Sequence, residues 1–383
     1  MLHHNYHVRV KLIHRVRRGS AAVRCSSAAV GLAVLLASSV HADETTRRHR
    51  PDAFHVAAYL PEWRYEGANW VTICGTVTHL ILFSIEVTPT GAPAALDRIP
   101  RPELMSEARA AATASGTKLL LCIGGNGRSA GFSPTVASKK KRARFVAALL
   151  ALCEEHGFDG VDYNWEYPGY VLGRGYLPDA EVTKDYEGLF KLLEETHAAF
   201  APSGRVITMA YYPDGRQERL LMLGGAPRWL EAMHMMSYDQ GERHSTWEFA
   251  EKVARQGAEL LPAAKVTHGL PFYGRHMRTG DWKSWEDLVQ QHRPADGVDE
   301  ADGYFFNSAA LIERKTRLAK QLGLAGVMIW EVGQDCRLVP VTHGATTHVR
   351  TCPADGDADS LLAAVSRGIS AGADGAPATH DEL

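Results

Sequence analysis

The side chains that could do chemistry are concentrated in one stretch, Phe158-Asp159-Gly160-Val161-Asp162-Tyr163-Asn164-Trp165-Glu166-Tyr167-Pro168. In an extended strand, residues two apart project to one face, so Asp162, Asn164 and Glu166 form a row. Two acids and an amide side by side are costly to bury unless they bond to one another or to a ligand. A carboxyl crowded by a second carboxyl and by aromatic rings holds its proton more tightly and can act as an acid near neutral pH. Cleavage of a glycosidic bond needs such a group. The plainer reading is a salt-bridged strand end, and the flanking Tyr163, Trp165 and Tyr167 weigh against it.

The row has to be held by a scaffold, and the surrounding sequence describes one. Between residues 54 and 331, short apolar runs alternate with longer amphipathic stretches. The runs are 54–60, 79–85, 118–124, 160–163, 206–211, 232–237, 266–272 and 326–330. Each is apolar on both faces, as suits strands buried in a parallel sheet. The stretches 141–155, 182–199, 247–261 and 309–322 have the period and length of crossover helices. Eight βα units in about 280 residues predict a single (β/α)8 barrel, an α/β fold with reactive groups at the C-terminal ends of its strands. A doubly wound open sheet is the alternative arrangement of the same pattern.

The stretch from Asp159 to Glu166 resembles the signature of glycoside hydrolase family 18, the chitinase family, written Asp-x-x-Asp-x-Asp-x-Glu on the fourth strand; Asp159, Asp162, Asn164 and Glu166 fall on its four positions. Further resemblances follow in order. Leu121-Cys122-Ile123-Gly124-Gly125 is similar to the third-strand Ser-x-Gly-Gly element, and Met236-Ser237-Tyr238-Asp239 to the sixth-strand Met-x-Tyr-Asp. Residues 270–275, ending in Arg275, and 326–331, containing Trp330, resemble the seventh and eighth strands; Tyr59 and Phe83 take the aromatic positions of the first two.

The resemblance implies a retaining, substrate-assisted hydrolase of β-linked N-acetylglucosamine, outside the two-carboxylate scheme. Glu166 would be the acid/base and Asp162 would set the charge of its neighbours. Tyr238 would donate to the acetamido group, Asp239 would contact the distorted sugar, and Trp330 would form an apolar floor beneath it. Met236, Gly125, Tyr59, Phe83 and Arg275 complete the expected substrate contacts. The plainer alternatives are core aromatics for Trp330 and Phe83, a core phenol with a backbone partner for Tyr238, and a rim ion pair for Arg275.

Asparagine at 164 departs from the family's aspartate: it keeps an acceptor and loses the charge. The acid Glu166 favours an enzyme over the alternative, a catalytically weak barrel that binds chitin or N-acetylglucosamine. A purely structural barrel would bind neither. The short stretch 275–304 leaves room for little more than one helix, 285–291, so an insertion domain is small or lacking and the groove is expected to be shallow and open.

A net charge of −2 and 22% charged residues give no basic surplus for nucleic acid, so a neutral glycan is the expected partner. No Cys-x-x-Cys or Cys/His cluster implies a metal, and no cofactor is implied. A basic stretch, an apolar run at 28–40 and a small-residue site near Ala42 read as a signal peptide, 1–42, with an uncleaved anchor as the alternative. Residues 43–52 read as a disordered linker, 53–340 as the barrel and 341–379 as a C-terminal extension. The last four residues, His380-Asp381-Glu382-Leu383, read as a retention signal taken by a retrieval receptor. These ends predict residence in the endoplasmic reticulum lumen, with secretion as the alternative and no membrane contact after cleavage. In such a compartment, Cys336 and Cys352 are the expected disulfide partners, whereas Cys122 and Cys153 read as core residues.

Overall fold

A computed structural model of the protein describes residues 54–341, 347–352 and 359–371. The expected signal peptide, the linker 43–52 and the retention signal lie outside these residues.

Eight parallel strands close on themselves: β1 His55–Pro61, β2 His79–Val87, β3 Lys118–Gly124, β4 Gly160–Asn164, β5 Val206–Tyr211, β6 Ala232–Met235, β7 Val266–Pro271 and β8 Gly326–Trp330. Each pairs with the next, and β8 and β1 pair from His55 opposite Gly326 to Ala58 opposite Ile329, which closes the ring. This is the (β/α)8 barrel expected from the alternating runs.

Alternation along each strand divides the core in two. Val56, Ala58, Leu60, Leu80, Leu82, Leu119, Leu121, Val161 and Tyr163 face the helices and belong to the larger apolar cluster. Their neighbours Ala57, Tyr59, Ile81, Phe83, Leu120, Cys122, Met236, Tyr238 and Met328 fill the barrel interior. Asp162 sits opposite Cys122 in register and Asn164 opposite Gly124, so β4 sends its acid and its amide inward.

The helical layer comprises α1 Trp70–Thr76, α2 Pro102–Ser115, α3 Lys139–His156, α4 Asp179–Phe200, α5 Arg216–Leu223, α6 Trp247–Leu260, α7 Ala309–Gln321 and α8 Leu361–Ser370. Local chemistry sets several starts: the hydroxyls of Thr246, Ser308 and Ser360 each accept the N–H three residues on, satisfying donors that a helix leaves orphaned.

Two parts exceed what the sequence suggested. Residues 273–305 hold the expected helix, Trp285–His292, but also a four-stranded antiparallel sheet of Trp282–Ser284, Tyr273–His276, Tyr304–Phe305 and Glu300–Ala301. Strands of two to four residues carry too little alternation to be read from sequence. The second is α8, which packs on α7 so closely that a Cβ on Gly368 would lie 2.7 Å from Thr316 Cβ. The barrel's helical layer therefore continues past residue 340. The expected disulfide joins Cys336 to Cys352, and Cys74, Cys122 and Cys153 are buried free thiols.

Asp335 anchors α8. Its buried carboxylate accepts the N–H groups of Leu361 (2.8 Å), Leu362 (2.9 Å) and Cys336 (2.7 Å) and the Ser360 hydroxyl (2.8 Å). Asp335→Ala leaves three buried donors unpaired and is expected to cost about 3 kcal/mol, measured as a lowered urea midpoint at unchanged slope. An unchanged midpoint would show that α8 contributes nothing to stability.

Candidate active site

A cleft of about 250 Å³ opens at the C-terminal ends of the strands, lined by Tyr59, Trp63, Phe83, Asn126, Arg128, Asn164, Glu166, Tyr167, Tyr212, Met236, Tyr238, Asp239 and Trp330. These residues come from the ends of β1 to β6 and of β8, the face on which barrel enzymes carry their sites.

Glu166 lies just beyond β4, its backbone N–H donating to Ser129 Oγ at 3.1 Å. Burial lifts its carboxyl to about 7; the nearby Asp239 pushes the same way, while the Asn164 amide and the Asn126 backbone N–H pull it down. The sequence reading placed the wrong groups around this acid. Tyr163 points outward to Thr196 (2.8 Å between hydroxyls) and Trp165 stacks on Phe132 at 5.1 Å, so neither touches it. Of the three flanking aromatics only Tyr167 lines the cleft. The carboxyl that adds to the rise is that of Asp239.

Asp162 is fully buried beneath Asn164 and accepts the hydroxyls of Tyr59 (2.8 Å) and Thr208 (2.7 Å). Burial raises its proton affinity, and hydrogen bonds from Thr208, Tyr59 and the Cys122 thiol oppose the shift. Asn164 Oδ1 is buried without a hydrogen-bond partner, at the edge of the cleft. A buried acceptor left unmatched by the protein is one that a ligand donor can complete.

Tyr238 has no backbone partner: its hydroxyl reaches only the weak acceptor Met328 Sδ, at 3.7 Å. Burial drives its proton affinity far up, so it stays a donor. Trp330 packs against Phe83 (4.7 Å between ring centroids) and Tyr59 (5.4 Å), making an aromatic floor. Asp239 has φ +60° and accepts Tyr273 Oη at 2.8 Å and Arg275 Nη1 at 2.7 Å.

Two of the expected residues, Arg275 and Gly125, are not among those lining the cleft. Arg275 is paired with Asp239, which does line it. Gly125 has φ +106°, and a Cβ there would lie 2.4 Å from Phe83 Cζ. It lets the Phe83 ring seat and does not line the cleft.

Sequence reasoning missed Trp63, Asn126, Arg128 and Tyr212. All follow the C-terminal ends of strands, which was the available signal. Trp63 is 53% exposed although it is a large indole. Arg128 forks onto Glu62 at 2.7 and 3.2 Å and lies over the Trp63 and Phe83 rings at 5.7 and 5.1 Å, which holds that wall in place. Glu331, beside Trp330, is also lifted by burial to about 7, but it turns away to Arg64 Nε (3.2 Å) and the Gly333 N–H (2.7 Å). Glu166 is thus the proton-bearing carboxyl that faces the cleft. Among the described residues no group of three or more His, Cys, Asp or Glu is placed to hold a metal ion.

A closed barrel with a buried carboxyl of raised proton affinity beside an aromatic floor is an arrangement suited to acid catalysis. The family model of glycosyl hydrolases family 18 matches residues 55–335, and the chain belongs to that family. Among curated relatives, a probable chitinase 2 of Drosophila melanogaster is 28% identical over 187 residues, covering 42% of this chain and 35% of the fly protein. An endochitinase 1 of Metarhizium anisopliae is 24% identical over 269 residues, covering 57% of this chain and 62% of its own. The chain thus spans less than two thirds of these relatives. In fold it is similar to the family 18 chitinase ChiB of Flavobacterium johnsoniae (TM-score 0.64, 18% identity, 83% of this chain and 94% of that one). A chitinase of Bacteroides thetaiotaomicron gives the same TM-score, 0.64, at 19% identity over 83% and 97%.

The Glu166 carboxyl has a stability consequence with a definite sign. Its folded value, about 7, lies above the ordinary 4.5, so the folded state favours the protonated form. That preference stabilises fully below about pH 4.5 and is lost as pH rises through about 7. Glu166→Gln, which cannot ionise, is therefore expected to match the parent in melting temperature at pH 4.5 and exceed it at pH 8. A constant difference at both pH values would contradict the shifted acid.

Proposed function

We propose that this protein hydrolyses β-1,4-linked N-acetylglucosamine with retention, the substrate's own acetamido group acting as nucleophile. The observation that carries the reading is Glu166, an acid kept protonated to about pH 7 in a cleft with an aromatic floor. Glu166 gives its proton to the glycosidic oxygen. The acetamido carbonyl oxygen attacks the anomeric carbon as the C–O bond breaks and the leaving sugar departs with the proton. Water then opens the cyclic oxazolinium ion, its proton returning to Glu166.

The surrounding groups suit this course. Tyr238 Oη, with only a sulfur partner in the protein, can donate to the acetamido oxygen, and the unmatched Asn164 Oδ1 can accept the acetamido N–H. Trp330 offers its face to the C–H face of the ring. Asp239 supplies negative charge at the cleft edge. The names of the relatives, chitinases and endochitinases, support the substrate class. The same disaccharide unit occurs in chitin and in the core of N-glycans, so both substrates fit.

Asn164 stands where the family pattern has an aspartate. A neutral acceptor in place of a charged one gives up roughly 1 kcal/mol of hydrogen-bond strength, up to about tenfold in rate. Asn164→Asp is expected to raise kcat by that factor.

The deciding experiment measures release from a fluorogenic chitotrioside and, separately, from a high-mannose glycopeptide. Cleavage of at least one is expected, with kcat/KM falling as pH rises through about 7 while the acid deprotonates. Glu166→Gln is expected to lower kcat by about 10²–10⁴ with KM little changed. Equal rates for Glu166→Gln and wild type would remove the hydrolase reading. Tight binding of the oligosaccharide without turnover would replace it with a sugar-binding barrel.

A further inference from the structure

His234, on β6, belongs to the interior row below the cleft, and the mechanism above makes no use of it. The ring is fully buried; Nδ1 lies 2.8 Å from Thr267 Oγ1, and Nε2 has no hydrogen-bond partner. That nitrogen lies 3.8 Å from Asp162 Oδ1. No lysine or arginine pairs with Asp162 among the described residues; its oxygens accept the hydroxyls of Tyr59 and Thr208 and the weak Cys122 thiol donor.

The other ionisable groups around the pair come from β1, β2, β3 and the turn before β6, with Cys122 of β3 opposite Asp162 in register. Tyr59 of β1 presents its ring 6.1 Å from that of His234. His55 of β1 and His79 of β2 lie beneath it, their rings 4.8 Å apart. Glu231, just before β6, pairs with Lys118 of β3 and stands 3.5 Å from His79 Nε2. Burial first, then His79 and His55, push the His234 imidazole down to about 3. Burial raises the Asp162 carboxyl. Both shifts have one cause: burial favours the uncharged form of the carboxyl and of the imidazole.

The mechanism creates a cation, the oxazolinium ion, just above this pair. A second carboxylate directly under the sugar could ionise in response, but position 164 holds an amide, which cannot. Asp162 can, provided its proton has a place to go on the side away from the cation.

We infer that Asp162 and His234 form a proton-sharing pair, with His234 acting through Asp162 as a positioning residue that answers the charge formed on the sugar. The proton moves from Asp162 Oδ1 to His234 Nε2 as the oxazolinium forms and returns as water opens it. A carboxylate then faces the cation with the imidazolium behind it, and the net charge of the pair is unchanged. The separation exceeds a direct hydrogen bond, so the transfer requires an approach of roughly 1 Å or one bridging water. The inference rests on the hydrolase reading for the cation that drives it.

Two measurements test it. Kinetics on the fluorogenic chitotrioside compare wild type, His234→Gln, Asn164→Asp and the double variant. His234→Gln should lower kcat by about tenfold at KM within about twofold. In the Asn164→Asp background, where an acid again lies under the sugar, the same substitution should cost less than about twofold. Equal losses in both backgrounds, or none in wild type, would overturn the pair, since a packing defect carries over undiminished. The second measurement, on wild type and independent of turnover, is the ¹⁵N spectrum of the His234 imidazole with and without the thiazoline analogue of N-acetylglucosamine, which mimics the cyclised sugar. Nε2 should be unprotonated in the free protein and protonated in the complex; the same state in both would refute the inference. Absence of turnover in wild type would instead count against the hydrolase reading, and the spectrum would still decide the pair.

Discussion

A carboxyl that must keep its proton near neutral pH has to be held away from water and from any free cation, and the mouth of this barrel is arranged around that constraint. The basic side chains that approach the cleft are each tied to a carboxylate of their own. Arg128 is forked onto Glu62, while Arg275 and Arg64 each make a single contact, with Asp239 and Glu331. Lys118, at the opposite end of the interior, is paired with Glu231. None is left to pull the proton from Glu166. Burial therefore dominates its environment, and the neighbouring Asp239 reinforces it.

The barrel makes such a site affordable because strand alternation gives it two separate cores. The outer one, between strands and helices, is almost wholly apolar and supplies the hydrophobic stabilisation. The inner one can then carry polar groups, provided each is matched. Asp162 is matched by two hydroxyls, whereas Asn164 Oδ1 at the cleft and His234 Nε2 below it are not. Other buried atoms without a partner, such as His55 Nδ1 and Trp70 Nε1, lie away from the proposed chemistry.

Much of the scaffold was legible because parallel strands buried on both faces produce continuous apolar runs. β3, β5 and β8 have the limits read from the sequence, and the other five strands differ by at most two residues at either end. The row of Asp162, Asn164 and Glu166 was legible from the period of two. What surrounds Glu166 was not, because the same period sends Tyr163 and Trp165 to the opposite face: proximity in sequence on a strand is separation in space. Trp63, Arg128 and Tyr212 lie just past strand ends, where the chain direction is set by loop geometry and no periodicity reports it. The four-stranded sheet after β7 escaped for the related reason that its strands are too short to show a pattern. The role of α8 depends on contacts between distant parts of the chain, Gly368 with Thr316 and Asp335 with residues 360–362, which composition does not encode.

The central claim, that a protonated Glu166 and the substrate's acetamido group together break the bond, fixes the stereochemistry of the product. The most direct measurement is proton NMR of the reducing sugar released in the first minutes of chitooligosaccharide hydrolysis, before mutarotation. The account predicts the β-anomer first, and no cleavage of the matching oligosaccharide that lacks N-acetyl groups. Initial release of the α-anomer, or equal cleavage of the unacetylated chain, would contradict it.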